Sequence, residues 1–177
     1  FYLFWFPKYL NDARGLSLAE VGRTVWVVYL AADIGCIAGG WLSGYFIKRG
    51  AAPATARLRV MAFAACLLPL SPLVALSSSP FIAVAIAALS VLGHLAWQVT
   101  LKALIVDLFP KSSVGTVFGV VAAGSGFGGM VSTGLVARTV TAFSYTPVFV
   151  AMGFMHPIAI LLLVWQFRRR KPARAAV

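Results

Sequence analysis

His94, Trp97, Gln98 and Leu101 follow one another at i, i+3, i+4 and i+7, the spacing that sets side chains on one face of a helix. Imidazole, indole and amide on one stripe suit a hydroxylated anionic ligand. The amide and the indole N–H bond hydroxyls, the indole face stacks on a sugar ring, and a protonated imidazole pairs with a carboxylate. The same groups also suit hydrogen bonds between helices that only hold a bundle together. Asp33, Lys102 and His156 share with His94 a place inside a long apolar stretch, where an ionisable group is costly and so faces a cavity or a partner. Asp33 is a candidate proton carrier, or else a structural acid bonded to a neighbouring helix. Lys102 reads as a side chain whose ammonium snorkels to an interface. His156, just before Pro157, reads as bonding a carbonyl that the proline frees. Ser125 offers a hydroxyl to a substrate, or to its own helix backbone.

The elements that must position these groups follow from composition. Hydrophobic residues make up 61% of the 177 positions and charged residues 11%, too little polar surface to clothe a water-soluble globule. The apolar stretches are apolar on every face and separated by short polar breaks, the pattern of spanning helices. A helix needs roughly 20 mostly apolar residues to cross the hydrocarbon core. Five such runs are read at 24–46, 60–77, 81–106, 114–137 and 145–167, preceded by a shortened one at 1–10 and followed by a basic tail at 168–177. Pro69 and Pro72 fall inside the second of these full runs and Pro157 inside the last, where each removes a backbone donor and bends its helix. The chain opens at Phe1 without the layout of a signal peptide, and reads as part of a longer one.

The net charge of +11 does not mark a nucleic-acid binder, because the basic residues lie in loops and a tail instead of on one solvated face. Ten of the 15 Lys and Arg fall in the loops 47–59 and 107–113 and in the tail. Only Lys8, Arg14, Arg23 and Arg138 lie towards the other side. The positive-inside rule makes the first side cytoplasmic, with the C-terminus, in a plasma (inner) membrane protein. Cys36 and Cys66 read as packing residues, no Cys/His spacing resembles a metal site, and no nucleophile, carboxylate pair or HExxH helix points to an enzyme.

Gly124, Gly126 and Gly129 match the G-x-G-x-x-G spacing of dinucleotide-binding turns. That motif needs a preceding strand and an exposed helix start, whereas this run lies in the middle of a span. It reads as a packing motif that lets helices approach, with Gly115, Gly119 and Ala123 adding small residues at four-residue spacing.

The stretch from Gly39 through Trp41, Gly44 and Lys48 to Gly50 resembles the second-half copy of the cytoplasmic loop signature of the major facilitator superfamily. Phe4 to Leu10, Ala32-Asp33-Ile34-Gly35-Cys36, Gly93-His94-Leu95-Ala96-Trp97 and Asp107-Leu108-Phe109-Pro110 further resemble its anion:cation symporter family, on the hexuronate and sugar-acid side. The resemblance implies an all-α membrane protein: a six-helix transmembrane bundle forming the C-terminal half of a twelve-helix major facilitator fold. It implies a substrate site between two halves and rocking alternating access coupled to protons. The other half, which in this family supplies the main carboxylate-binding and proton-coupling groups, would be the missing partner. Expected site residues are His94, Trp97, Gln98 and Ser125 for a small organic anion and Asp33 for protons, with no cofactor and no metal. Two departures stand out: Gly44 where the signature often has an acid, and Thr100 where hexuronate-side relatives commonly carry Asn. An exporter of an apolar or cationic solute, or a non-transporting sensor on the same bundle, are the alternatives.

Overall fold

The computed structural model describes residues 1–170 apart from Leu3, and every regular element among them is helical. The elements are α1 (Trp5–Asp12), α2 (Leu18–Lys48), α3 (Pro53–Ala65), a 3-10 turn (Leu68–Leu70), α4 (Ser71–Leu76), α5 (Pro80–Leu108), α6 (Lys111–Ala142) and α7 (Thr146–Arg170). Five segments are long and apolar enough to cross a membrane: α2, the composite 53–76, α5, α6 and α7. The eight-residue α1 is too short to do so. Residues 171–177 of the basic tail lie outside the described residues.

Helix ends run past the apolar runs because polar chemistry sets them. The hydroxyl of Ser17 accepts from the Glu20 amide at 3.3 Å while the Glu20 carboxylate accepts from the Ser17 amide at 2.8 Å. This capping box starts α2 six residues ahead of the apolar stretch. At the other end Gly50 takes φ +88° and closes the turn, a conformation that costs glycine little. Pro53 and Pro80 open α3 and α5 at positions where no amide donor is needed. Inside 53–76 the prolines do more than bend: the α-helix stops at Ala65, tightens into the 3-10 turn that contains Pro69, and restarts at Ser71.

α5 lies at the centre, packed on α2, α3, α4 and α6 and meeting α7 through side chains, and its most extensive contact is with α2. Ala31, Gly35, Gly39 and Ser43 supply a buried row at four-residue spacing on α2. A Cβ on Gly39 would stand 2.7 Å from the Ala96 carbonyl oxygen of α5, and one on Gly93 would stand 2.8 Å from the Ala64 carbonyl oxygen of α3. Close approach is thus made here, by a G-x-x-x-G step in α2 and a glycine in α5.

The glycines of α6 behave otherwise, which corrects the packing expectation for that run. Gly115, Gly119, Gly124, Gly126, Gly128 and Gly129 have nothing within 4 Å of where a Cβ would stand. Residues 119–135 are exposed throughout, and Val136 is the buried residue of the helix. Small residues permit a close neighbour without supplying one. α6 is tied by short loops to α5 and α7 at the rim of the bundle, and no other helix among the described residues comes up against its glycine face.

Polar clusters close both ends. At one end the Arg14 guanidinium donates to the carbonyls of Val74 and Ala75 at 2.8 and 3.2 Å, so that a cation meets the last turn of α4. There too Lys8 pairs with Asp12 at 2.6 Å, and the Tyr145 hydroxyl donates to Asp12 at 3.1 Å. At the opposite end Arg57 of α3 pairs with Asp107 of α5 at 3.0 Å and donates to the Ser43 hydroxyl of α2 at 2.5 Å.

Candidate functional site

The α5 stripe carrying His94 and Trp97 turns towards α7. His94 Nδ1 lies 2.9 Å from His156 Nε2, with the rings nearly perpendicular at 89° and their centroids 4.9 Å apart. One of these nitrogens must carry the hydrogen and the other the lone pair, and the tautomers decide which. The Trp97 ring meets His156 edge-on, 5.0 Å between centroids at 84°, and packs against the buried cluster of Met61, Ala65, Leu104 and Ile160. Trp97 Nε1 and His156 Nδ1 are both buried and have no hydrogen-bond partner among the described residues. A buried polar atom left so is costly, and marks a place for a water or a ligand group.

Beside the imidazole pair lies a cavity of about 110 Å³, lined by both histidines together with Tyr2, Ser71 and Ser90 and by apolar groups such as Leu68, Val91 and Met152. The hydroxyls of Tyr2 and Ser71 are hydrogen-bonded to each other, and Ser90 donates to the Ile86 carbonyl. Nothing in the spacing of Tyr2, Ser71 and Ser90 marked them beforehand, because each lies on a different element. His156 had a signal: two histidines in two apolar spans satisfy each other in lipid at lower cost than either does alone. It bonds His94 and not a carbonyl freed by Pro157.

The remaining expected residues are not gathered at this pair. Gln98 is half-buried on α5 and makes no hydrogen bond among the described residues. Ser125 is exposed on α6. Asp33 is exposed on the outer face of α2, in a band with Trp26, Leu30, Ile34, Ile37 and Trp41. Neither Asp33, Gln98 nor Ser125 lines the cavity. Lys102 is exposed near the end of α5. Among the described residues no group of three or more His, Cys, Asp or Glu side chains stands close enough to hold a metal ion.

Five apolar segments of spanning length, one of them the central polar-bearing α5, define an integral, multi-pass membrane protein. The sequence model of the Major Facilitator Superfamily matches residues 54–177, and the chain belongs to that family. The chain is similar to the hexuronate transporter of Escherichia coli (strain K12), 24% identical over 170 residues that cover 96% of this chain and 39% of that protein. It is 32% identical over 127 residues to the hexuronate transporter of Bacillus subtilis (strain 168), covering 67% of this chain and 29% of the relative. It is also 32% identical over 124 residues to a probable galactarate/D-glucarate transporter of Escherichia coli (strain K12), covering 68% and 27%. The chain spans about two fifths or less of the length of these curated relatives, all of which bear transporter names and none that of an enzyme.

Proposed function

We propose that this chain forms one six-helix half of a secondary transporter that moves a small organic anion, a hexuronate or related sugar acid, by proton symport with alternating access. The observation that carries the reading is on α5, whose polar groups are held at the bundle centre without being used up there. Among the described residues the Gln98 amide makes no hydrogen bond and the buried Trp97 indole N–H has no partner. Hydroxyls and a carboxylate of a sugar acid would satisfy such donors, and an imidazole can add a positive charge. The names of the relatives support the substrate class.

The uncovered faces of α2 and α6 are where the other half of the transporter would lie, with Asp33 as proton carrier and Ser125 as a hydroxyl ligand at that boundary. The excess of basic residues in the loops at the Arg57 end supports a reading in which that end, and the C-terminus, face the cytoplasm of a plasma (inner) membrane protein. The test is uptake of labelled galacturonate or glucuronate by the full-length protein in proteoliposomes, with and without an inward proton gradient. Accumulation above the external concentration only with the gradient is the expected result. Uptake blocked by lipophilic cations and not by uronates would instead mark an exporter of cationic solutes, and saturable binding without accumulation would mark a sensor.

A further inference from the structure

We propose that His94 and His156 form a single protonation site, a pair of imidazoles that takes up one proton across the α5–α7 boundary and so makes anion binding pH-dependent. The inference rests on the sugar-acid reading above and assigns the pair a role separate from Asp33.

The geometry limits the pair to one added proton. At 2.9 Å between Nδ1 and Nε2 there is room for one hydrogen between the rings. Two neutral imidazoles carry two N–H groups on four nitrogens. A third proton gives a charged ring that donates to its neutral neighbour, a charge-assisted bond stronger than the neutral one. A fourth would set two N–H groups and two positive charges against each other. The pair therefore moves between zero and one unit of charge.

The surroundings leave that charge uncompensated. The chain has four carboxylates: Asp12 pairs with Lys8, Glu20 caps α2, Asp107 pairs with Arg57 and Asp33 is exposed on α2. Around the cavity, the segment ahead of α1 brings the Tyr2 phenol, α4 brings Ser71, α5 brings Ser90, and α7 brings no titratable group but His156 among the described residues. α2 and α3 line none of it. The protonated pair then lacks a counter-charge within the bundle, which an incoming carboxylate supplies. The cavity of about 110 Å³ holds a carboxylate or a few waters, each of which occupies about 30 Å³ in the liquid. The partnerless His156 Nδ1 is a nitrogen left over to exchange the proton.

The experiment is equilibrium binding of labelled galacturonate to the purified full-length protein between pH 5 and 8, for the wild type, His94→Gln and His156→Gln. Glutamine keeps a hydrogen-bonding amide between the helices and removes the titrating ring. In the wild type, Kd rises with pH, approaching tenfold per unit above the titration of the pair. In either Gln variant the profile flattens with the protein still folded by its melting temperature. A wild-type Kd that does not change with pH overturns the proposal without recourse to any variant, and so does a slope retained in both Gln variants. Either result leaves the transport reading standing if gradient-driven uptake is observed. Absence of binding at every pH overturns the sugar-acid reading and this proposal with it.

Discussion

Gly39 of α2 lies so close to Ala96 of α5 that a side chain cannot be added without moving backbone: its Cβ would stand 2.7 Å from the Ala96 carbonyl oxygen and 2.8 Å from its Cα. The obstructing atoms are main chain, so no rotamer change relieves them. Gly39→Ala is expected to destabilise the bundle by about 1–3 kcal/mol, the usual cost of overpacking. Gly128→Ala, with nothing within 4 Å, should change stability by no more than about 0.5 kcal/mol unless another chain covers it. Thermal melting of the two variants in one detergent compares them directly. Equal melting temperatures would refute the α2–α5 approach.

Arg57 ties three helices, because its guanidinium reaches Asp107 of α5 and the Ser43 hydroxyl of α2 from the first turns of α3. Both charged side chains are largely covered, at 16% and 25% exposure, so removing one leaves the other poorly solvated and costs more than the loss of a surface ion pair. Arg57→Ala is expected to cost about 1.5–3 kcal/mol, the range for hydrogen bonds to charged groups. The double variant with Asp107→Ala should cost less than the two single losses added together. Additive losses in that cycle would show the two side chains to be independent.

Asp12 supplies a pH dependence of known sign. The Lys8 ammonium beside it, with the Tyr145 hydroxyl as a further donor, holds its carboxyl below the ordinary value of 3.8. A carboxylate more acidic in the folded state than in the unfolded one contributes stability above the unfolded pKa, and that contribution is lost as pH falls through the folded one. The melting temperature of the wild type should therefore fall more than that of Asp12→Asn as pH drops from 5 to below 3.8. The difference is small, because the ion pair is exposed to solvent. Parallel melting curves for the two proteins over that range would remove the prediction.

Gln98 separates binding from folding. Its amide makes no hydrogen bond among the described residues, so Gln98→Leu removes no internal partner and should shift stability by no more than about 0.5 kcal/mol. If the amide holds a substrate hydroxyl, KM for uronate uptake should rise about tenfold, the equivalent of one lost hydrogen bond of about 1.4 kcal/mol. An unchanged KM in a folded variant would take Gln98 out of the site.

Much of the architecture is legible along the chain. Lipid offers no partner for a backbone amide, so an apolar run of sufficient length is a helix that crosses. Prolines at 69 and 72 foretell a disturbance in 53–76, although that it becomes a break with a 3-10 turn depends on two of them falling three residues apart. The Ser17/Glu20 capping box is also readable as a pattern, and places the start of α2 better than hydropathy does.

The site is less legible, because it depends on which faces meet. Helical spacing put His94 and Trp97 on one stripe, but that His156, 62 residues on, would supply the partner required the packing of α5 against α7. The glycines make the same point. Gly35 and Gly39 abut another backbone, whereas the richer run at 124–129 abuts none among the described residues. By itself the sequence determined the number of spans, their capping and the alternation of basic loops, since these follow from local hydrogen bonding, chain length and charge in contact with lipid and water. Only the tertiary structure decided which polar groups became partners and which stayed free, since a side chain buried in a bundle is satisfied by whatever the neighbouring helix presents, and that neighbour is far away along the chain.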